Sequence, residues 1–79
     1  MDEAQTRTLC DIFRFVLDLQ DDEDPRIVRM IRQKNWNSLA TVSIVAGIES
    51  EFGVTIEPAD YERLTSFQAV ALLLSEKGI

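Results

Sequence analysis

Residues 38–52, SLATVSIVAGIESEF, set Val42, Val45, Ile48 and Phe52 at three- and four-residue steps. That spacing lines up apolar side chains along one face of a helix, whereas a half-buried strand would alternate them. Residues 3–19, EAQTRTLCDIFRFVLDL, repeat the pattern with Leu9, Ile12, Phe13, Val16 and Leu17, and no Pro or Gly interrupts it. A third stretch over 66–76 supplies Phe67, Val70, Ala71, Leu73 and Leu74. No strand-like run appears between them. Helices with one apolar face must cover one another, so the pattern predicts an all-α fold.

The punctuation fits that reading. The run QDDED followed by Pro25 stops the first helix, because proline lacks an amide hydrogen and disfavours helical geometry in the residue before it. Asn37 or Ser38 can cap the helix that follows by accepting from its free amides, and Gly53 ends it as a left-handed cap residue. Pro58 suits the first turn of a brief helix over 58–63. Thr65 with Gln68 reads as a capping box for the last helix. The sum is a single domain over 1–79: a small antiparallel four-helix bundle with three longer helices, one short one and a long first loop.

Composition narrows the chemistry. A chain of 79 residues supports one modest core and little room for a deep catalytic cleft. The absence of His removes Ser-His triads, imidazole bases and most zinc sites. Cys10 is alone, which excludes an intrachain disulfide and suits a reducing, cytoplasmic setting; it reads as a small apolar residue on a packed helix. The net charge is −6, which disfavours nucleic acid and favours basic protein surfaces. No apolar run reaches membrane-spanning length, and MDEAQTRTLC lacks the order of a signal peptide. Asp21, Asp22, Glu23 and Asp24 lack the spacing, central glycine and distal glutamate of a calcium loop, so they read as a solvated connection.

Asn37-Ser38-Leu39 opens the second helix, and Thr41-Val42, Val45, Glu49, Glu51 and Phe52 follow. This resembles the acyl carrier protein family, whose signature is Asp-Ser-Leu and then a helix of the form x-T-V-x-x-V-x-x-x-E-x-E-F. The tail GVTIEPADYERLTSFQAVALLL is similar to the family's third and fourth helices, so the resemblance spans essentially the whole chain. It implies that Ser38 receives a 4′-phosphopantetheine arm from coenzyme A through a phosphopantetheinyl transferase using magnesium. The arm's thiol would hold acyl groups as thioesters and present them to partner enzymes. The implied partners are an acyl- or aminoacyl-activating ligase and enzymes of the acyltransferase or ketosynthase type. The chain would be a tethered carrier rather than an enzyme, and nothing in it demands more than a monomer.

Asn37 departs from the family's aspartate; it still caps a helix but carries no charge. The exposed face of the second helix is diluted in acid by Ala40, Ser43, Ala46, Gly47 and Ser50. Partner contacts are therefore expected from Asn37, Leu39, Ile44 and Glu49, with Leu39 and Ile44 partly exposed, or Ile44 partly in the core. A specialised partner set follows. Trp36 reads as an anchor that pins the long loop to the bundle.

Residues 26–35, RIVRMIRQKN, divide two arguments. Local spacing of Ile27, Met30 and Ile31 predicts a short helix, while the resemblance predicts that 20–37 is mainly loop with at most one helical turn. We take the loop, with residues such as Ile27, Met30 or Ile31 tucked against the core. Val42, Val45, Ile48, Leu64 and Leu73 are core residues first and candidate lining for a buried acyl chain second. Three readings of function stay open: an acyl carrier for fatty or polyketide cargo, an aminoacyl carrier, and an unmodified carrier-like adaptor that binds a partner enzyme directly.

Overall fold

The computed structural model describes residues 1–79 and contains no strand. Three α-helices carry the fold: α1 over Glu3–Leu17, α2 over Ser38–Phe52 and α3 over Phe67–Glu76. Single 3-10 turns over Pro25–Ile27 and Met30–Arg32 interrupt the first connection, and the short fourth helix is a 3-10 segment over Pro58–Arg63.

Each α-helix begins at a side-chain cap. Asp2 caps α1: its Oδ1 accepts from the Gln5 amide at 2.8 Å, and the Gln5 side chain accepts from the Asp2 amide at 2.9 Å. Asn37 caps α2 through the Ala40 amide at 2.9 Å. Ser66, not Thr65, caps α3 through the Ala69 amide at 3.0 Å. The displacement has a cause in the backbone. The Thr65 carbonyl accepts from the Met30 amide at 2.8 Å, and the Phe67 amide donates to the Val28 carbonyl at 3.0 Å. This isolated bridge between Arg29 and Ser66 holds Ser66 extended, so that the helix begins at Phe67, one residue late.

Helix α1 stops well before Pro25. Asp18 adopts the left-handed conformation at φ 52°, and its amide bonds back to the Arg14 carbonyl. Aspartate tolerates this region better than most residues. Gly53, at φ 67°, does the same for α2 at no steric cost.

The core draws on every segment. Leu9, Phe13 and Leu17 come from α1; Ala40, Ile44, Val45 and Ile48 from α2; Phe67, Val70, Leu73 and Leu74 from α3. The connections add Val28, Trp36, Ile56 and Leu64. Phe13 is the hub, with edge-on contacts to Trp36 at a centroid distance of 5.3 Å and to Phe67 at 5.0 Å. Cys10 packs at the edge of this cluster, and burial pushes its thiol above the ordinary range although Arg14 pulls the other way.

Two further sequence expectations change. Val42 is half-exposed and Phe52 only partly buried, because the buried face of α2 is Ala40, Thr41, Ile44, Val45 and Ile48. Thr41 turns inward because the buried Trp36 Nε1 donates to its Oγ1 at 2.9 Å, giving the hydroxyl a partner in the core. In the first connection Ile27 and Ile31 face solvent, while Pro25 and Val28 are buried and Met30 is partly so. The bridge to Ser66 imposes a strand-like alternation there, and that overrides the helical spacing.

Gly47 marks the close approach of α1 and α2, since a Cβ there would lie 3.1 Å from Ile12 Cγ2. A helical Gly→Ala change gains about 1 kcal/mol of propensity, and the half-buried Ile12 side chain can yield a few tenths of an ångström. Gly47→Ala is therefore expected to be nearly neutral in chemical denaturation. Gly47→Leu is expected to lose about 1–3 kcal/mol through overpacking.

Arg63 grips Glu76 with two hydrogen bonds, at 2.9 and 2.7 Å, tying the 3-10 segment to the end of α3. This hydrogen bonding holds the Glu76 carboxyl below its ordinary range, and the Arg26 side chain does the same to Asp24. A carboxyl with a depressed folded-state pKa stabilises at neutral pH, and that contribution is lost as pH falls through the depressed value. Melting temperatures of wild type and Arg63→Gln should thus differ modestly at neutral pH, given the exposure of the pair. The gap should close on acidification.

Candidate functional site

Ser38 sits at the first position of α2, exposed, directly after the capping residue. The preceding loop is fixed at two points. Asn35 Nδ2 donates to the Leu17 carbonyl at 2.9 Å, which satisfies a free acceptor at the end of α1. Trp36 is 4% exposed, stacked edge-on against Phe13 and hydrogen-bonded to Thr41. The chain therefore emerges from a buried indole, passes Asn37 and presents Ser38 to solvent.

The amides around the hydroxyl divide into two sets. Ala40 donates to the Asn37 side chain and Thr41 donates to the Asn37 carbonyl at 3.0 Å. The amides of Ser38 and Leu39 have no protein acceptor. Two free donors at the positive end of a 15-residue helix favour an anion beside the Ser38 oxygen.

A shallow groove runs from the hydroxyl between the first connection and the 3-10 segment. Met30, Thr41, Val42, Tyr61 and Glu62 line it together with Asn37 and Ser38. Leu39, 73% exposed, adds apolar surface next to the serine. An extended chain leaving Ser38 would meet mixed apolar and polar walls here.

The other expected contact residues lie elsewhere. Ile44 is 1% exposed and belongs to the core, so it offers no partner surface; the inward turn of Thr41 carries Ile44 with it. Glu49 is partly buried, and its Oε2 accepts from the Ile56 amide at 2.9 Å, which anchors the link after α2. Its carboxylate is committed within the molecule. Val45, Ile48, Leu64 and Leu73 are sealed in the core, whereas Val42 stands in the groove beside Ser38. The acidic run serves local structure: Asp24 caps the Pro25–Ile27 turn and Glu23 accepts from the Gln20 amide. No group of three or more Cys, Asp or Glu side chains is arranged to hold a metal ion.

The Asp2 cap was missed in the sequence, although Asp-x-x-Gln before an apolar run is its signal. Thr41 as a core residue had no such signal, because its inward turn depends on a tryptophan five residues earlier. Comparison with known protein-family models and with curated proteins finds no match. No helix of the structure is long and apolar enough to cross a membrane.

Proposed function

We propose that this chain is a carrier protein whose Ser38 bears a 4′-phosphopantetheine arm. The observation that carries the reading is the exposed Ser38 hydroxyl at a helix start, with the Ser38 and Leu39 amides free beside it. A phosphodiester on Ser38 Oγ would gain those donors and the helix dipole, and the groove past Met30, Val42 and Tyr61 would give the arm a surface to follow. Once attached, the arm supplies a thiol that holds an acyl group as a thioester. The chain's own contribution is to orient the attachment point and to dock on enzymes that load and use the cargo: a phosphopantetheinyl transferase, an activating ligase, and acyltransferase or ketosynthase type enzymes. Tethering raises the local concentration of cargo at each partner. An aminoacyl cargo requires the same features.

Asn37 motivates a second reading, an unmodified adaptor that keeps the architecture and binds a partner enzyme directly. Asn37 retains the cap but adds no negative charge beside the hydroxyl.

Intact-protein mass spectrometry separates the two. After incubation with coenzyme A, magnesium and a broad-range transferase, wild type should gain one phosphopantetheine and Ser38→Ala none. Asn37→Asp should react faster than wild type if the missing charge limits the reaction. Failure of both wild type and Asn37→Asp with several transferases would favour the adaptor.

A further inference from the structure

We propose that residues 26–32 form a docking surface for an acidic, apolar-centred segment of a partner protein, independent of any modification of Ser38. Ile27 is 71% exposed and Ile31 85% exposed. Their exposure is built in. The bridge to Ser66 pins the loop, Val28 and Met30 take the inward positions, and the alternation leaves Ile27, Arg29 and Ile31 outward.

The surrounding charge is the opposite of the molecule's. The chain has 14 acidic and 8 basic residues, so every cation has carboxylates to choose from. Arg7, Arg26 and Arg63 are ion-paired, with Glu3, Asp24 and Glu76. Arg14, Arg29, Arg32, Lys34 and Lys77 form no ion pair, and of these Arg29, Arg32 and Lys34 are exposed together in one short segment. Arg26, Ile27, Arg29 and Arg32 border a concavity that Ser66 and Gln68 complete, and no carboxylate lines it. Free guanidinium groups offer paired donors that match a carboxylate. Isoleucines beside them gain by covering apolar side chains.

A protein segment fits better than a charged sheet of lipid or a nucleic acid. With a net charge of −6, the rest of the molecule would be repelled by a broad anionic surface, whereas a short acidic segment covers the basic patch alone. Met30, on the opposite side of the same loop, lines the groove beside Ser38, and that groove shares no residue with the concavity bordered by Arg26, Ile27, Arg29 and Arg32.

The test uses the full chain and two fluorescein-labelled peptides, one alternating leucine with aspartate and one alternating leucine with lysine, read by anisotropy. The aspartate peptide should bind and the lysine peptide should not, with binding weakened by salt. Arg29→Glu with Arg32→Glu should weaken it at least about tenfold. Ile27→Ser with Ile31→Ser should weaken it too, and Ser38→Ala should leave it unchanged. All four loop side chains are exposed, so circular dichroism should be the same in every variant. Preference for the lysine peptide, no binding of the aspartate peptide, or indifference to both double variants would overturn the proposal. So would a surface that instead binds phosphatidylcholine–phosphatidylglycerol vesicles, or one whose variants change only the self-association seen by sedimentation.

Discussion

Phe13→Ala is expected to bring the protein close to unfolding at ambient temperature. A chain of 79 residues carries roughly 4–12 kcal/mol of folding free energy. Removing a fully buried phenylalanine costs about 3–5 kcal/mol, the transfer of the ring plus the cavity it leaves. Phe13 is completely enclosed and touches ring edges or faces from two other segments, Trp36 of the loop and Phe67 of α3. Collapse around the lost ring would have to draw in all three segments at once, so the cost should sit toward the high end. Thermal denaturation should show a midpoint lowered by tens of degrees, because each kcal/mol shifts a domain of this size by about 4–8 °C. Phe15, two residues on, is the control: it is 88% exposed, and Phe15→Ala should change stability by no more than about 0.5 kcal/mol. Equal effects of the two variants would mean that α1 does not present the face described.

Helical spacing identified α1, α2 and α3 because each buries one continuous stripe, and the left-handed Gly53 was evident from its position after the last apolar residue. The failures share one cause. The side chains of residues 27–31 and the start of α3 are arranged by a backbone bridge between segments that lie more than thirty residues apart. No local window contains both partners, so neither the helical spacing nor the loop reading, which tucked Ile27, Met30 or Ile31 inward, could tell that Ile27 and Ile31 face solvent and only Met30 is partly buried. The rotation of the buried face of α2 is likewise non-local. Thr41 and Ile44 turn inward only because an indole supplies the donor that a buried hydroxyl needs. The candidate site was legible in part. Ser38 and its cap follow from local helix-start chemistry, while the groove beside them exists because the first connection brings Met30 across to Tyr61 and Glu62.

Trp36→Ala should couple stability to the presentation of Ser38. The indole is nearly sealed, packs on Phe13 and donates to Thr41, so truncation should cost about 3–5 kcal/mol. Two further variants divide that loss. Thr41→Val keeps the shape of the side chain but strands the buried Nε1 hydrogen, at about 1–3 kcal/mol. Trp36→Phe keeps an apolar ring and removes the donor, freeing the Thr41 hydroxyl to bond elsewhere, and should cost less than Trp36→Ala. In the cycle, Thr41→Val should add little once Trp36 is Phe, because the hydrogen bond is already gone. Additive costs would mean the bond contributes nothing to stability. Hydrogen exchange gives the local readout. In Trp36→Ala the amides of Ala40 and Thr41, which close the first turn of α2 on Asn37, should exchange faster than those at the C-terminal end of the same helix. Uniform acceleration along α2 would instead mean global destabilisation, with no special hold on the segment that carries Ser38.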